Sequence, residues 1–434
     1  MKYRGLLVAL TFLIASSFVV VNDVALADAG LSNDLSSKSN DNVRIVNHFR
    51  LLNQATVELA GNIQKPGITP KGDTILVPAK DLDQLYYITM VQDTPVLNKF
   101  TIPTGKGPVD VVISKNGKRA YVANETGKSI SIIRLEEEDS SRVTDIAIDG
   151  SPCRLALGKD GKYLYVLTKD AEDNVVVIKL GDENSELVNL IPVGEGPHSL
   201  KISENGNMAY VVNRGDNTIT EIDLTSPEGT IFKDKIDVGV YPTDIAVNKE
   251  GNIALVTNAL SNNVSLYDPN ENPITIFGTI GNLAKPFGIA YDPIGNFAVA
   301  MSYYNGKLEF YDLQNASQRI VSPLQDADVT IDEKGEYITL CEKGLIAVSH
   351  PNKDILSVID YNIEKEEIVI PVVPEPTANQ NPMPGINDIT KLLESQETQD
   401  TQNQKPVDDS SAEDIIQDVI KDQGDPLRGR TKAE

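Results

Sequence analysis

One unit is written seven times along this chain, and no other feature restricts its fold as tightly. The clearest copies read PVDVVISKNGKRAYVANETGKSISIIRL (Pro108–Leu135), PHSLKISENGNMAYVVNRGDNTITEIDL (Pro197–Leu224) and PTDIAVNKEGNIALVTNALSNNVSLYDP (Pro242–Pro269). Anchored on a turn glycine, the copies fall at Gly72, Gly117, Gly161, Gly206, Gly251, Gly295 and Gly344, at intervals of 45, 44, 45, 45, 44 and 49 residues. A proline stands nine residues before the glycine at Pro108, Pro152, Pro197, Pro242 and Pro286. Each copy carries short runs rich in β-branched and aromatic residues, bounded by Gly, Asn, Asp or Pro. Such runs read as strands. Three of them plus a fourth, such as Asp145–Ile148 or Lys235–Val238, make a four-stranded antiparallel blade. One blade cannot bury both of its apolar faces, whereas seven packed in a ring bury them all and leave only short edges. The sequence therefore predicts an all-β chain, a seven-bladed propeller over 51–372.

The lines YVAN (Tyr121–Asn124), YVVN (Tyr210–Asn213) and LVTN (Leu255–Asn258), followed by ISIIRL, ITEIDL and VSLYDP, closely resemble the YVTN-type seven-bladed propeller repeat. The resemblance covers roughly Leu51–Val372. It implies the fold and no single activity, since that family hosts binding proteins, surface proteins and enzyme-like members. Copy seven lacks the proline, and Gly335 is an alternative anchor to Gly344. Thr56–Ala60 is expected to supply the outermost strand of the last blade beside Leu356–Tyr361, with Glu367–Val372 competing for that edge.

Residues 1–27 read as a signal peptide, with a short basic end, an apolar core and Ala25-Leu26-Ala27 at the cleavage site. No later stretch is long and apolar enough to span a membrane. An exported protein is expected, periplasmic, secreted or held at the cell surface. Residues 28–50 read as a polar linker. Residues 373–434 read as a disordered acidic tail, because their composition cannot bury enough apolar area to offset chain entropy. Two amphipathic segments in it, 385–397 and 412–423, are candidates for helices that fold on a partner. A formal charge of −24 and the absence of Trp argue against nucleic acid as a partner. Cys153 and Cys341 lie in blades far apart on the ring, so two buried thiols are expected rather than a bridge.

In a propeller, the loop entering the innermost strand and the loop between the second and third strands open on one face. The residues just after the repeat proline fall in the entering loops, among them Asp110, Arg154, His198, Asp244 and Gly288. Asn124, Lys169, Asn213, Arg214, Asn258 and Tyr303 fringe them. Asp110, Arg154, His198 and Asp244, with Asn124, Asn213 and Asn258, form a candidate ligand site. The recurrent Asn also reads as structural, because it holds one place in several copies. No HExxH, GxSxG, P-loop or EF-hand loop occurs. The reading is an exported, non-catalytic binding platform whose partner is a protein or a cell-envelope component, with no cofactor. The alternative is a lactonase- or lyase-like enzyme, with His198 and Asp244 in acid–base roles and Arg154 binding an anion. A divalent cation between Asp110 and Asp244 is a further possibility within that alternative. Arg214-Gly215-Asp216 in a turn is also the tripeptide of some receptor ligands.

Overall fold

Both faces of the middle strands are apolar, and the packing shows why. In the line YVAN, Tyr121 and Ala123 pack toward the following blade, against Leu155, Leu164 and Val166. Ala120 and Val122 point the other way, against Leu76, Leu85 and Ile102 of the preceding blade. Side chains alternate across a strand, so a strand sandwiched between two blades must be apolar throughout. Among the described residues there are seven apolar clusters, one at each blade interface.

The computed structural model describes residues 43–369, apart from 137–139, 170–172, 182–183, 233–234, 272–274, 293, 295, 316–317 and 325–326. The signal peptide expected over 1–27 and the acidic tail with its two amphipathic segments lie outside the described residues. No helix in the described part is long and apolar enough to cross a membrane.

Seven antiparallel blades form the ring. Blade 2 is typical, running outward from the axis through Pro108–Ile113, Arg119–Asn124, Ser129–Arg134 and Ser141–Ala147. Blade 3 begins at Ser151–Leu157, blade 4 at Pro197–Ile202, blade 5 at Pro242–Val247 and blade 6 at Pro286–Asp292. Blade 1 begins at the short strand Gly67–Ile68. In blades 4 and 6 the outermost strand is broken into two short pairs, Thr230–Ile231 with Ile236–Asp237, and Ser322–Pro323 with Val329–Thr330. In blades 1 to 5 the first turn closes on its glycine. The amide of Gly117 donates to Ser114 O at 2.8 Å, with φ +70 at the glycine. Gly344 does the same with Cys341 O, so it, and not Gly335, anchors blade 7.

Blade 7 is assembled from both ends of the ring. Tyr337–Cys341, Leu345–His350 and Ile355–Val369 are completed by Val43–Glu58. Thr56 pairs with Ser357 and Val57 with Leu356, as expected. Glu367 does not compete for that edge; it pairs with Ile45 farther along the same ladder. The closing strand thus starts at Val43, inside the stretch expected to be a linker over 28–50. Its Phe49 is what the composition of that stretch concealed. The ring lies 4.5 Å from Phe310 and 5.4 Å from Tyr361, within the interface between blades 6 and 7.

Both cysteines are free and buried. Burial pushes the Cys153 thiol up to about 11, despite the nearby Lys169 and Arg154. Neither thiol should react with a thiol reagent at neutral pH until the ring unfolds, when two equivalents should appear. Two equivalents titrating in the native protein would contradict this packing.

Candidate functional site

A β-bulge just after the repeat proline sets what faces the axis. Pro108 pairs with Asn124 and Asp110 with Ala123, so two residues oppose one and Asp110 turns inward. The same register puts Arg154, Ser199 and Asp244 at that level in blades 3 to 5. Gly288 follows in blade 6, where the register shifts between Pro286 and Ile289. Tyr337, opposite Ser349, takes the place in blade 7, and Lys65, bridged to Asp110, takes it in blade 1. His198 follows its proline by one residue, whereas Asp110, Arg154 and Asp244 follow theirs by two, so it was grouped with the wrong partners. Ser199 is the equivalent of Asp110, Arg154 and Asp244, and His198 lies one residue nearer the loop-bearing face.

Much of the expected site is spent on holding the ring together. Asp110 accepts from Lys65 Nζ at 2.9 and 3.0 Å and from the Leu155 amide at 2.8 Å. Asp244 accepts from Ser199 Oγ at 2.5 Å and from the Ile289 amide of the next blade at 3.3 Å. These are locks between neighbouring inner strands. Neither carboxylate hydrogen-bonds His198, and each is held by donors of neighbouring blades. Among the described residues, no three His, Cys, Asp or Glu side chains come together as metal ligands. The asparagines are structural as well. Asn124 Nδ2 donates to Ser129 Oγ and Ser131 Oγ, Asn213 Nδ2 to Thr218 and Thr220, and Asn258 Nδ2 to Asn263 and Ser265. Gly194 and Gly239 lie so close over Asn213 and Asn258 that a Cβ there would come within 2.5 Å. His350 holds the same position in blade 7, its Nε2 2.9 Å from Ser357 Oγ and its Nδ1 3.1 Å from Glu333 O.

Arg154 plugs the axis. Its guanidinium stacks 4.6 Å from the centroid of the Tyr337 ring, and its Nη1 donates to Cys153 O at 2.6 Å. Burial opposes the charge, but Tyr337 and Asp110 outweigh it and keep the group protonated. Around this plug only about 10 Å³ stays open, enough for one water at most.

Above the plug, side chains from four blades converge. Arg214, from the loop between the second and third strands of blade 4, turns inward over Tyr241 (4.5 Å) and Phe287 (5.4 Å). Its Nη1 donates to Tyr241 Oη at 3.2 Å, while Nε and Nη2 are buried without a partner. The tripeptide 214–216 is thus no free recognition loop, since Asp216 also accepts from Lys235 and Thr218. His198 meets Phe287 edge-on at 5.9 Å. Burial drives its pKa well below the ordinary histidine value, and Arg214, Arg154 and Lys169 push it the same way. The imidazole is therefore neutral at pH 7. Glu336 accepts from Asn352 Nδ2 at 3.1 Å; burial raises its pKa, against the pull of Arg214 and Arg154. Burial also weakens the hold of Arg214 on its proton, Tyr241 opposes this and Arg154 adds repulsion. The site combines two crowded guanidiniums, a neutral imidazole and a half-buried carboxyl, walled by aromatic rings.

Sequence reasoning placed Arg154, His198, Arg214 and Tyr303 at this mouth, and missed Glu336, Tyr337, Tyr241, Phe287 and Lys65. Two of the five lie in blade 7 and one in blade 1, the copies whose repeat departs most from the pattern.

Among solved structures, hydrazine synthase of Kuenenia stuttgartiensis shares 15% identity, with 73% of this chain and 98% of that chain covered and a TM-score of 0.57. A candidate 6-phosphogluconolactonase of Bacteroides uniformis shares 17%, covering 61% and 85%, with a TM-score of 0.53. A second, from Bacteroides fragilis, shares 16%, covering 61% and 83%, with a TM-score of 0.50. At such identities the likeness is one of fold. No curated protein matches. Residues 66–286 match the family described as lactonase, 7-bladed beta-propeller. That stretch is just over half of the 434 residues, and on it this chain belongs to the lactonase family of seven-bladed propellers.

Proposed function

We propose that this chain is a lactonase-type hydrolase that opens an anionic lactone in the loop-bearing mouth of the ring. The observation that carries the reading is Arg214, whose buried Nε and Nη2 have no partner and which lies in the field of a second guanidinium, Arg154. Buried donors without acceptors are rare and call for an explanation, and a carboxylate or phosphate supplies the paired acceptors that a guanidinium fork fits. Family membership and the two candidate 6-phosphogluconolactonases support the same direction. In this reading neutral His198 takes a proton from the attacking water. The water oxygen bonds to the lactone carbonyl carbon, the ring C–O bond breaks, and the proton passes to the leaving alkoxide. The amino-terminal segment would place the enzyme outside the cytoplasm.

Hydrolysis of carboxylated and phosphorylated lactones, followed by proton release, tests this. Arg214→Met should lower kcat/KM for anionic lactones by about tenfold to a hundredfold, with little effect on uncharged ones. His198→Gln should lower kcat by about 10²–10⁴. Because the folded pKa of His198 is depressed, the base stays neutral below the usual histidine range. The acid limb of the rate profile should therefore fall at a pH below that of a free histidine. No turnover of any lactone by the wild type would sink the proposal. A second reading, a non-catalytic envelope-binding platform like members of the YVTN-type families, is favoured by one observation. The His198 ring makes no hydrogen bond to a carboxylate among the described residues.

A further inference from the structure

The axis has a second opening, on the face away from the proposed active site. There the inner strands surround a cavity of about 460 Å³, within the range of small-molecule sites. Its wall comes from residues two places beyond the inward ring just described, where strand alternation again points side chains at the axis. Val112, Ala246 and Ala290 supply an aliphatic wall, and Thr339, Lys65 and Lys201 supply polar atoms beside it. From the Arg154 level to the strand ends is about four residues, or roughly 13 Å of depth.

Charge at the inner end is unbalanced. Lys65, Arg154 and Lys201 face two carboxylates, Asp110 and Asp244. Lys65 is fully engaged with Asp110. Arg154 donates to a carbonyl, stacks on the Tyr337 ring and shares the field of Asp110 with Lys65. Lys201 Nζ stays 3.6 Å from Asp244 Oδ2, an oxygen that already accepts from the Ile289 amide, and its side chain is 29% exposed. Lys201 stands in the layer of Val112, Ala246 and Ala290 and carries its ammonium inward toward Asp244, an arrangement matched by a head-first monoanion with an aliphatic tail. A polar tail gains nothing from the alanine and valine wall, and a neutral ligand gives Lys201 no partner beyond Asp244. Glu204, exposed beyond the strand end in the following turn, discourages a second negative charge at the rim.

We infer that this lower channel binds a medium-chain aliphatic carboxylate, with its head on Lys201 and its tail along Val112, Ala246 and Ala290. The inference is independent of the hydrolytic reading, because the Arg154–Tyr337 plug separates the two sites.

Calorimetric titration of the folded protein with octanoate tests it, with octan-1-ol as the uncharged control. One equivalent of octanoate should bind, and octan-1-ol should bind at least about tenfold more weakly. Lys201→Met should cost octanoate about tenfold or more, Lys201→Arg should restore most of it, and Arg214→Met should change nothing. Ala290→Phe, which fills the well, should abolish binding while keeping lactone hydrolysis. Should a variant fail to fold, isotope-edited NOEs from octanoate to the methyls of Ala246 and Ala290 in the wild type decide the matter. Absence of those NOEs, equal affinity for octan-1-ol, or indifference to Lys201→Met would overturn the inference.

Discussion

A chain beginning at Ala60 is expected to lose its cooperative thermal transition. The strand Val43–Glu58 joins the two ends of the ring, pairing from Val43 opposite Val369 to Glu58 opposite Ile355. Without it, the edge of Ile355–Val369 stands open and the interface between blades 6 and 7 loses Phe49. A milder probe isolates that side chain. Phe49 is 4% exposed, and Phe49→Ala should cost about 3–5 kcal/mol from the lost ring and the cavity it leaves. Against a total stability of about 5–15 kcal/mol, that is a large share. Circular dichroism melting is the measurement. A truncated chain that kept a single sharp transition near the wild-type midpoint would show that the ring holds without its closing strand.

The second large effect belongs to Asp110, which looks like a ligand in the sequence and acts as a lock in the structure. Its carboxylate is fully buried, bonded twice to Lys65 and once to the Leu155 amide. Asp110→Ala would strand an ammonium in the interior, at a cost of about 3–5 kcal/mol. Burial already lowers the pKa of Lys65, with Asp110 as the main opposing influence, so removing Asp110 should lower it further. The unpaired Leu155 amide adds about 1–3 kcal/mol. Asp244→Ala should cost less, because Lys201 can turn into the open lower channel and water. Replacing both partners, Asp110→Ala with Lys65→Met, should recover much of the loss, since the charges act as a pair. Equal destabilisation by Asp110→Ala and Asp244→Ala in urea titrations would refute this division of roles.

The position of His198 shows how a slip of one residue in reading the repeat changes a site. A bulge makes two residues oppose one, and its effect on side-chain direction depends on pairing with the second strand. Equal spacing from the proline picks out Ser199, the second residue after Pro197, as the equivalent of Asp110, while His198, the first, falls out of step. Ser199 and His198 differ by one place, yet one bonds Asp244 across a blade boundary and the other lines the mouth above the plug. The asparagines were read both ways from sequence. Their constant place in the repeat proved the stronger signal, because each satisfies the same pair of hydroxyl or amide groups five and seven residues on.

Strands, most turn glycines, the number of blades and the end of the chain that closes the ring were legible in the sequence, though not where that closing strand begins. Each is specified by local alternation and by a period repeated often enough to average out deviant copies. The site was legible only in part, because a ring brings together residues that no local pattern relates. Arg154 of blade 3 lies on Tyr337 of blade 7, and Arg214 of blade 4 lies on Phe287 of blade 6. Those contacts exist only after closure, when seven inner strands converge on one axis and the side chains there compete for the same small volume.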